Sequence, residues 1–203
     1  MTALALPGFA RRCVVVAVAG LMMAALSACT GRGGGQLPPN TPAFTGAASF
    51  GFSFSCERSS NSTSPNPPNG RLAIELSYTD HGTNPLGAAF GIHGTVDTLD
   101  PVLESQICIG QNPPTDGSTL TFLGVYRTTT SAPAGFPSRC ATTTSTCRFE
   151  VTVRDNDKNG IPSAGDYFSI MLSTGTIVSS QLADTSVFYT RAGLLSSGNL
   201  IVD

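Results

Sequence analysis

From Ser49 onward, apolar side chains recur at every second position in short runs. Phe50, Phe52 and Phe54 alternate with small or polar neighbours, and Leu72, Ile74, Leu76 and Tyr78 alternate with Ala73, Glu75, Ser77 and Thr79. Phe90 and Ile92 begin a third run, and Leu120 to Val125 forms a less regular fourth. Phe149, Val151 and Val153 then alternate with Glu150, Thr152 and Arg154. Phe168, Ile170 and Leu172 follow, then Val187 to Tyr189, and finally Leu200 with Val202. Period two marks a strand with one buried face. The runs are separated by SSNSTSPNPPNG, DHGTNPLG, QNPPTDGS and RDNDKNGIPSAGD, whose Gly, Pro, Asn and Asp favour turns. With 22 glycines, 14 prolines and no sustained helical period, long helices are disfavoured. The pattern predicts an all-β fold, an antiparallel β-sandwich of Ig-like or jelly-roll-like form, with its strand order left open.

The first segment has a different logic. Arg11 and Arg12 precede an apolar run of 13 residues, Val14 to Leu26, where a membrane-spanning helix needs roughly 20. That length suits the core of a signal peptide. Directly after it, Leu26-Ser27-Ala28-Cys29 resembles the lipobox of bacterial lipoproteins, in which the cysteine is diacylated and becomes the mature N-terminus. The resemblance implies a signal peptide over 1–28, lipidation at Cys29 and attachment to a membrane. Thr30 in place of aspartate resembles lipoproteins sent to the outer membrane of bacteria with two membranes. Thr30 to Thr45, TGRGGGQLPPNTPAFT, is rich in Gly and Pro and poor in core formers. It reads as part of a flexible tether over 29–46, leaving one β-domain over 47–203.

Removing 1–28 leaves 175 of the 203 residues, a length that suits one domain with a core of its own. The discarded segment holds two of the eleven basic residues and none of the thirteen acids. The mature chain therefore carries nine basic against thirteen acidic groups, a net charge of −4. Lys158 is its one lysine, and without a basic patch nucleic acid is excluded as a partner. Of the six cysteines, Cys13 is discarded and Cys29 is taken by lipid. Cys56, Cys108, Cys140 and Cys147 remain, an even number that predicts two disulfides in an oxidising compartment. Three connectivities are open. The short ATTTST loop favours Cys140 with Cys147, which leaves Cys56 with Cys108.

Three further segments carry a resemblance. Tyr78-Thr79-Asp80-His81, then Phe149 to Asp155 running on to Gly165-Asp166-Tyr167-Phe168-Ser169-Ile170, and Gly193 to Leu200 (GLLSSGNL) are similar to a small bacterial extracellular β-domain. That domain often follows choice-of-anchor modules in surface proteins. The similarity spans roughly 47–202, and the chain departs from it by longer turns and by cysteines at 108, 140 and 147. It implies fold and location, with no activity to carry over. It also implies that Asp155 and Asp166, the outer acids of the turn, serve the fold.

Candidate chemistry is sparse. Asp80-His81 is the one adjacent acid–histidine pair, and it reads as a turn, because adjacent strand residues point to opposite faces. His93, between Gly91 and Gly94, reads as a strand residue. Asp97, Asp100 and Glu104 are the acids from which a glycosidase pair could be drawn, but there is no tryptophan to stack a sugar. No G-x-S-x-G elbow occurs. The segment RDNDKNGIPSAGD matches a calcium loop in its spacing. Asp155, Asp157 and Asn159 take positions 1, 3 and 5, Gly160 the turn, Ile161 a carbonyl position, and Asp166 the twelfth. The flanks alternate as strands rather than helices, so a long hairpin loop competes with the ion site. The expected role is a non-catalytic binding or structural one at the cell envelope, with a protein or glycan ligand. A hydrolase of envelope polymers or secreted substrates and an envelope-protecting inhibitor are the alternatives.

Overall fold

The computed structural model describes residues 29–57, 71–96, 118–143, 147–156, 165–175, 177–178, 181–182 and 186–203. The strands there are β1 (Cys29–Leu37), β2 (Ala48–Glu57), β3 (Arg71–Asp80), β4 (Phe90–Thr95), β5 (Thr119–Thr128), β6 (Arg148–Arg154), β7 (Tyr167–Ser173), β8 (Ile177–Val178), β9 (Gln181–Leu182), β10 (Val187–Leu194) and β11 (Ser197–Val202). Nine of them form one antiparallel sheet in the order β10-β7-β6-β5-β4-β3-β2-β1-β11, and β8 with β9 makes a separate ribbon. From β1 to β7 every strand pairs with its successor. This meander needs only local connections. Among the described residues no helix is long and apolar enough to cross a membrane.

The sheet is curled, so its two wings face each other across one core. Phe50 of β2 stacks on Phe168 of β7 with ring centroids 3.7 Å apart, and Phe52 and Phe54 lie 5.4 and 5.5 Å from Phe122 of β5. The all-β antiparallel expectation is met. A single sheet supplies both walls of the core, where a sandwich would use two. β11 runs across the strand ends of the other wing. The Leu195 amide bonds to the Asp166 carbonyl, while Leu200 and Val202 meet the carboxylates of Asp166 and Asp155.

The segment read as a tether is where sequence and structure part. Gly31 to Gln36 pair with β2 on one side and β11 on the other, placing β1 inside the sheet. Gly31, Gly33 and Gly35 stand opposite Phe54, Phe52 and Phe50. A Cβ at Gly31 would collide with Leu120, so the missing side chain lets β1 approach the core. Gly198 of β11 adds a φ of 115° and lies against the Gly34 backbone, two conditions only glycine meets well. Residues 29–37 are therefore part of the folded sheet, and 38–47 connect β1 to β2.

Candidate functional site

The outer face of the first wing is built from small polar residues. In register, Gly34, Gly51, Ser77, His93 and Arg127 make one row across β1 to β5, and Arg32, Ser53, Glu75, Thr95 and Val125 make the next. Their neighbours at the other parity, such as Phe52, Leu76 and Ile92, fill the core. The short side chains of Gly51, Ser53 and Ser77 leave a shallow hollow of about 300 Å³ that reaches Glu75 and His93. A second hollow, about 240 Å³, continues from His93 to Thr95, Arg127 and Thr143. His93 Nε2 lies 3.3 Å from Glu75 Oε2, the histidine half-buried and the glutamate exposed. Hydroxyls, an imidazole, a carboxylate and a guanidinium on rigid strands can hydrogen-bond a polar ligand lying across the sheet.

The acid–histidine neighbours divide as the strand geometry requires. Asp80 points inward and is fully buried, whereas His81 is exposed and shares a 2.8 Å hydrogen bond with Ser49. Asp80 Oδ1 accepts the Gly82 amide, closing the turn. Its other oxygen anchors a buried network. Arg191 Nη1 stands 2.9 Å from Oδ2, an ion pair lying off the hydrogen-bond axis, and the Tyr189 hydroxyl donates to the same oxygen at 2.7 Å. Tyr189 and Tyr78 share a 2.5 Å hydrogen bond. Arg191 Nη2 donates to the carbonyls of Pro38 and Gly46, and the guanidinium sits 4.7 Å over the Phe44 ring. Burial pushes the hydroxyls of Tyr78 and Tyr189 well above their ordinary titration range. Burial alone would lower Arg191, but Tyr78, Asp80 and Tyr189 around it hold the guanidinium above its usual value. The cation thus pins the connection between β1 and β2 to β3 and β10. Sequence reading passed over Arg191. The available signal was a lone charge sharing the apolar parity of Tyr189, matched by Asp80 at the apolar parity of β3.

Of the five calcium-loop positions, Asp155 and Asp166 are described; Asp157, Asn159 and Ile161 lie outside the described residues. Both acids are buried. Asp166 uses both oxygens, accepting the Leu200 amide at 2.8 Å and the Asn156 amide at 3.1 Å. Asp155 Oδ2 accepts the Val202 amide at 3.4 Å. Asn156 Nδ2 donates to the Gly165 carbonyl at 2.6 Å, tying the two ends of the loop together. The carboxylates therefore serve an edge strand, satisfying amides that no neighbouring strand reaches. Among the described residues no cluster of three or more His, Cys, Asp or Glu could hold a metal ion.

Cys140 and Cys147 form a disulfide with Cα atoms 5.5 Å apart, and both are buried. A single turn of 3-10 helix, Ser138–Cys140, delivers Cys140 to the site. Cys56 is also disulfide-bonded. Cys108 lies outside the described residues, as do Asp97, Asp100 and Glu104. Cys29 stands directly opposite Cys56 in the β1–β2 register. No family model matches the chain, and no match was found among curated proteins or solved structures.

Proposed function

We propose that the mature chain is a lipid-anchored, exported β-domain that binds a polar ligand at the cell envelope through the outer face of β2 to β5. The observation carrying the binding role is the hollow across Ser53, Glu75, Ser77 and His93, continued past His93 to Arg127. Export is supported by the apolar leader, the lipobox-like LSAC and the Cys140–Cys147 disulfide. In a bacterium with two membranes, Thr30 after the lipidated cysteine favours the outer one. The Glu75 carboxylate, with the Ser53 and Ser77 hydroxyls beside it, favours a neutral or basic ligand such as an envelope glycan or a peptide.

Filling the hollow tests the site. Ser77→Tyr should weaken binding to purified cell-wall sacculi or solubilised envelope glycans at least tenfold while leaving the melting temperature unchanged, as His93→Ala should to a lesser degree. Equal binding by wild type and Ser77→Tyr removes this face from consideration. Anchoring is tested separately by intact mass of detergent-extracted protein, where a mature N-terminus without lipid mass overturns it. Peptide mapping should join Cys56 to Cys108; a peptide joining Cys56 to Cys29 would also exclude acylation at that sulfur.

The hydrolase reading has one observation in its favour, the exposed Ser49–His81 contact. Asp80, the neighbouring acid, is turned away and bonded to Gly82, Tyr189 and Arg191, so it does not orient the imidazole. A fluorophosphonate probe that labels Ser49 in wild type and fails in His81→Ala would restore the enzyme.

A further inference from the structure

We infer that the ligand of this outer face is a short peptide with both ends free, its amino group at Glu75 and its carboxylate at Arg127; this deepens the binding role proposed above and rests on it. The two hollows share His93 and carry opposite charges at their far ends, Glu75 in the first and Arg127 in the second. Glu75 keeps its carboxylate exposed, with His93 Nε2 3.3 Å from Oε2. Arg127 is exposed too, and unlike Arg191 it pairs with no carboxylate among the described residues. In register, Ser77 faces His93 and His93 faces Arg127, so Glu75 and Arg127 stand two strands and two residues apart. At about 4.8 Å between strands and 3.3 Å per residue, their Cα atoms are roughly 12 Å apart. An extended chain advances about 3.5 Å per residue. Three residues therefore carry their terminal charges across a span that the Glu and Arg side chains shorten from either end.

The wall between the two charges suits a peptide backbone. Ser53 and Ser77 in the first hollow, and Thr95 and Thr143 in the second, carry hydroxyls that can donate to carbonyls and accept from amides. Among the described residues none of the four spends its hydroxyl on another hydrogen bond. His93, common to both hollows, steadies the Glu75 carboxylate and walls the midpoint, where the central peptide group lies. A glycan is less well served. The two outward rows across β1 to β5 contain no Phe, Tyr or Trp on which a sugar ring could stack, and a neutral sugar would leave both charges without a partner.

Trialanine is the probe, titrated into isotope-labelled, detergent-extracted mature protein while the backbone amide resonances of Gly51, Ser77 and Thr95 are followed. These signals should shift, and N-acetylation or C-amidation of the peptide should each weaken binding by about threefold to fivefold, the worth of one exposed charge contact. Glu75→Gln should weaken free trialanine to the same degree and no longer distinguish the acetylated form, while still sensing amidation. Arg127→Gln should show the reverse. Both substitutions are at exposed positions, and an unchanged melting temperature separates lost contacts from altered folding. Sensitivities crossed the other way, acetylation felt at Arg127 and amidation at Glu75, overturn the assigned polarity. Shifted amides with equal affinity for free and blocked peptides overturn the pairing of the two ends and leave the hollow standing as a binding site. No shift with millimolar trialanine overturns the inference, and the face then stands or falls on the glycan binding that Ser77→Tyr tests.

Discussion

Two buried acidic sites hold this sheet at its margins, and they are compensated in opposite ways. Besides the Gly82 amide, Asp80 faces a cation and the Tyr189 phenol, with Tyr78 bonded behind it, all three delivered by side chains from β3 and β10. Asp155 and Asp166 face backbone amides of β11 and of their own loop. The first arrangement stakes a charge on a charge, and losing either member strands the other in a dry interior. The second spends charge on dipoles, so losing the Asp166 carboxylate leaves the Leu200 and Asn156 amides unsatisfied. The first should therefore behave as an all-or-none unit and the second as separable increments.

Breaking the ion pair tests this most severely. Asp80→Asn should cost about 3–5 kcal/mol, because Arg191 keeps its charge in a site with no counter-ion. Arg191→Met should cost a comparable amount, and the double variant distinctly less than the two together. Urea unfolding of all three provides the cycle, and simple additivity would mean that the pair is not coupled.

Alkaline pH separates the regions next. Tyr78 and Tyr189 have raised titration ranges in the folded protein, while in the unfolded chain they ionise near the ordinary value of 10.0. Their contribution is therefore fully present below pH 10 and declines as pH rises through 10, where only the unfolded chain releases protons. By pH 11 each should cost about 1.4 kcal/mol. Tyrosinate absorbance at 295 nm for these two should rise together with loss of structure; a rise in a still-folded protein would show that the network is open to water.

At the other margin, Asp166→Ala should cost about 2 kcal/mol by leaving the Leu200 and Asn156 amides unpaired. Asp166→Asn retains one acceptor oxygen and should cost less. Asp155→Ala, losing the long contact to the Val202 amide among others, should cost at least about 1 kcal/mol. If these acids serve β11 rather than an ion, millimolar calcium should leave the melting temperature of wild type and of Asp157→Ala equally unchanged. A calcium-dependent rise in wild type that Asp157→Ala abolishes would reinstate the loop as an ion site. Within the first network, Tyr189→Phe removes the hydroxyl that bonds both the Asp80 carboxylate and Tyr78 and should cost about 2 kcal/mol, with the Asp80–Arg191 pair intact.

Much of the sheet was legible before folding. Phe50, Phe52 and Phe54, or Phe149, Val151 and Val153, announce a buried face by period two alone, because alternation is a local property of the extended backbone. The short ATTTST loop likewise made Cys140 with Cys147 the natural pair, since few conformations separate residues so close in sequence. The alternating flanks of Asp155 and Asp166 marked two strands with a connection between them, and β6 and β7 pair there. The partners of the two acids were not legible, because Leu200 and Val202 lie more than thirty residues downstream.

The tether is the instructive miss. Glycine permits both a coil and a strand that must pass close to aromatic rings, and composition cannot distinguish them. Gly31, Gly33 and Gly35 became strand positions only because β2 offers Phe54, Phe52 and Phe50 opposite them and β11 returns to the other side. The amino-acid order by itself determined which residues are extended and which faces are apolar, since both follow from neighbours along the chain. Where the first strand lies, which amides the acids satisfy, and how Arg191 meets Asp80 were decided by tertiary structure, since each depends on contacts that exist only after distant strands have found their register.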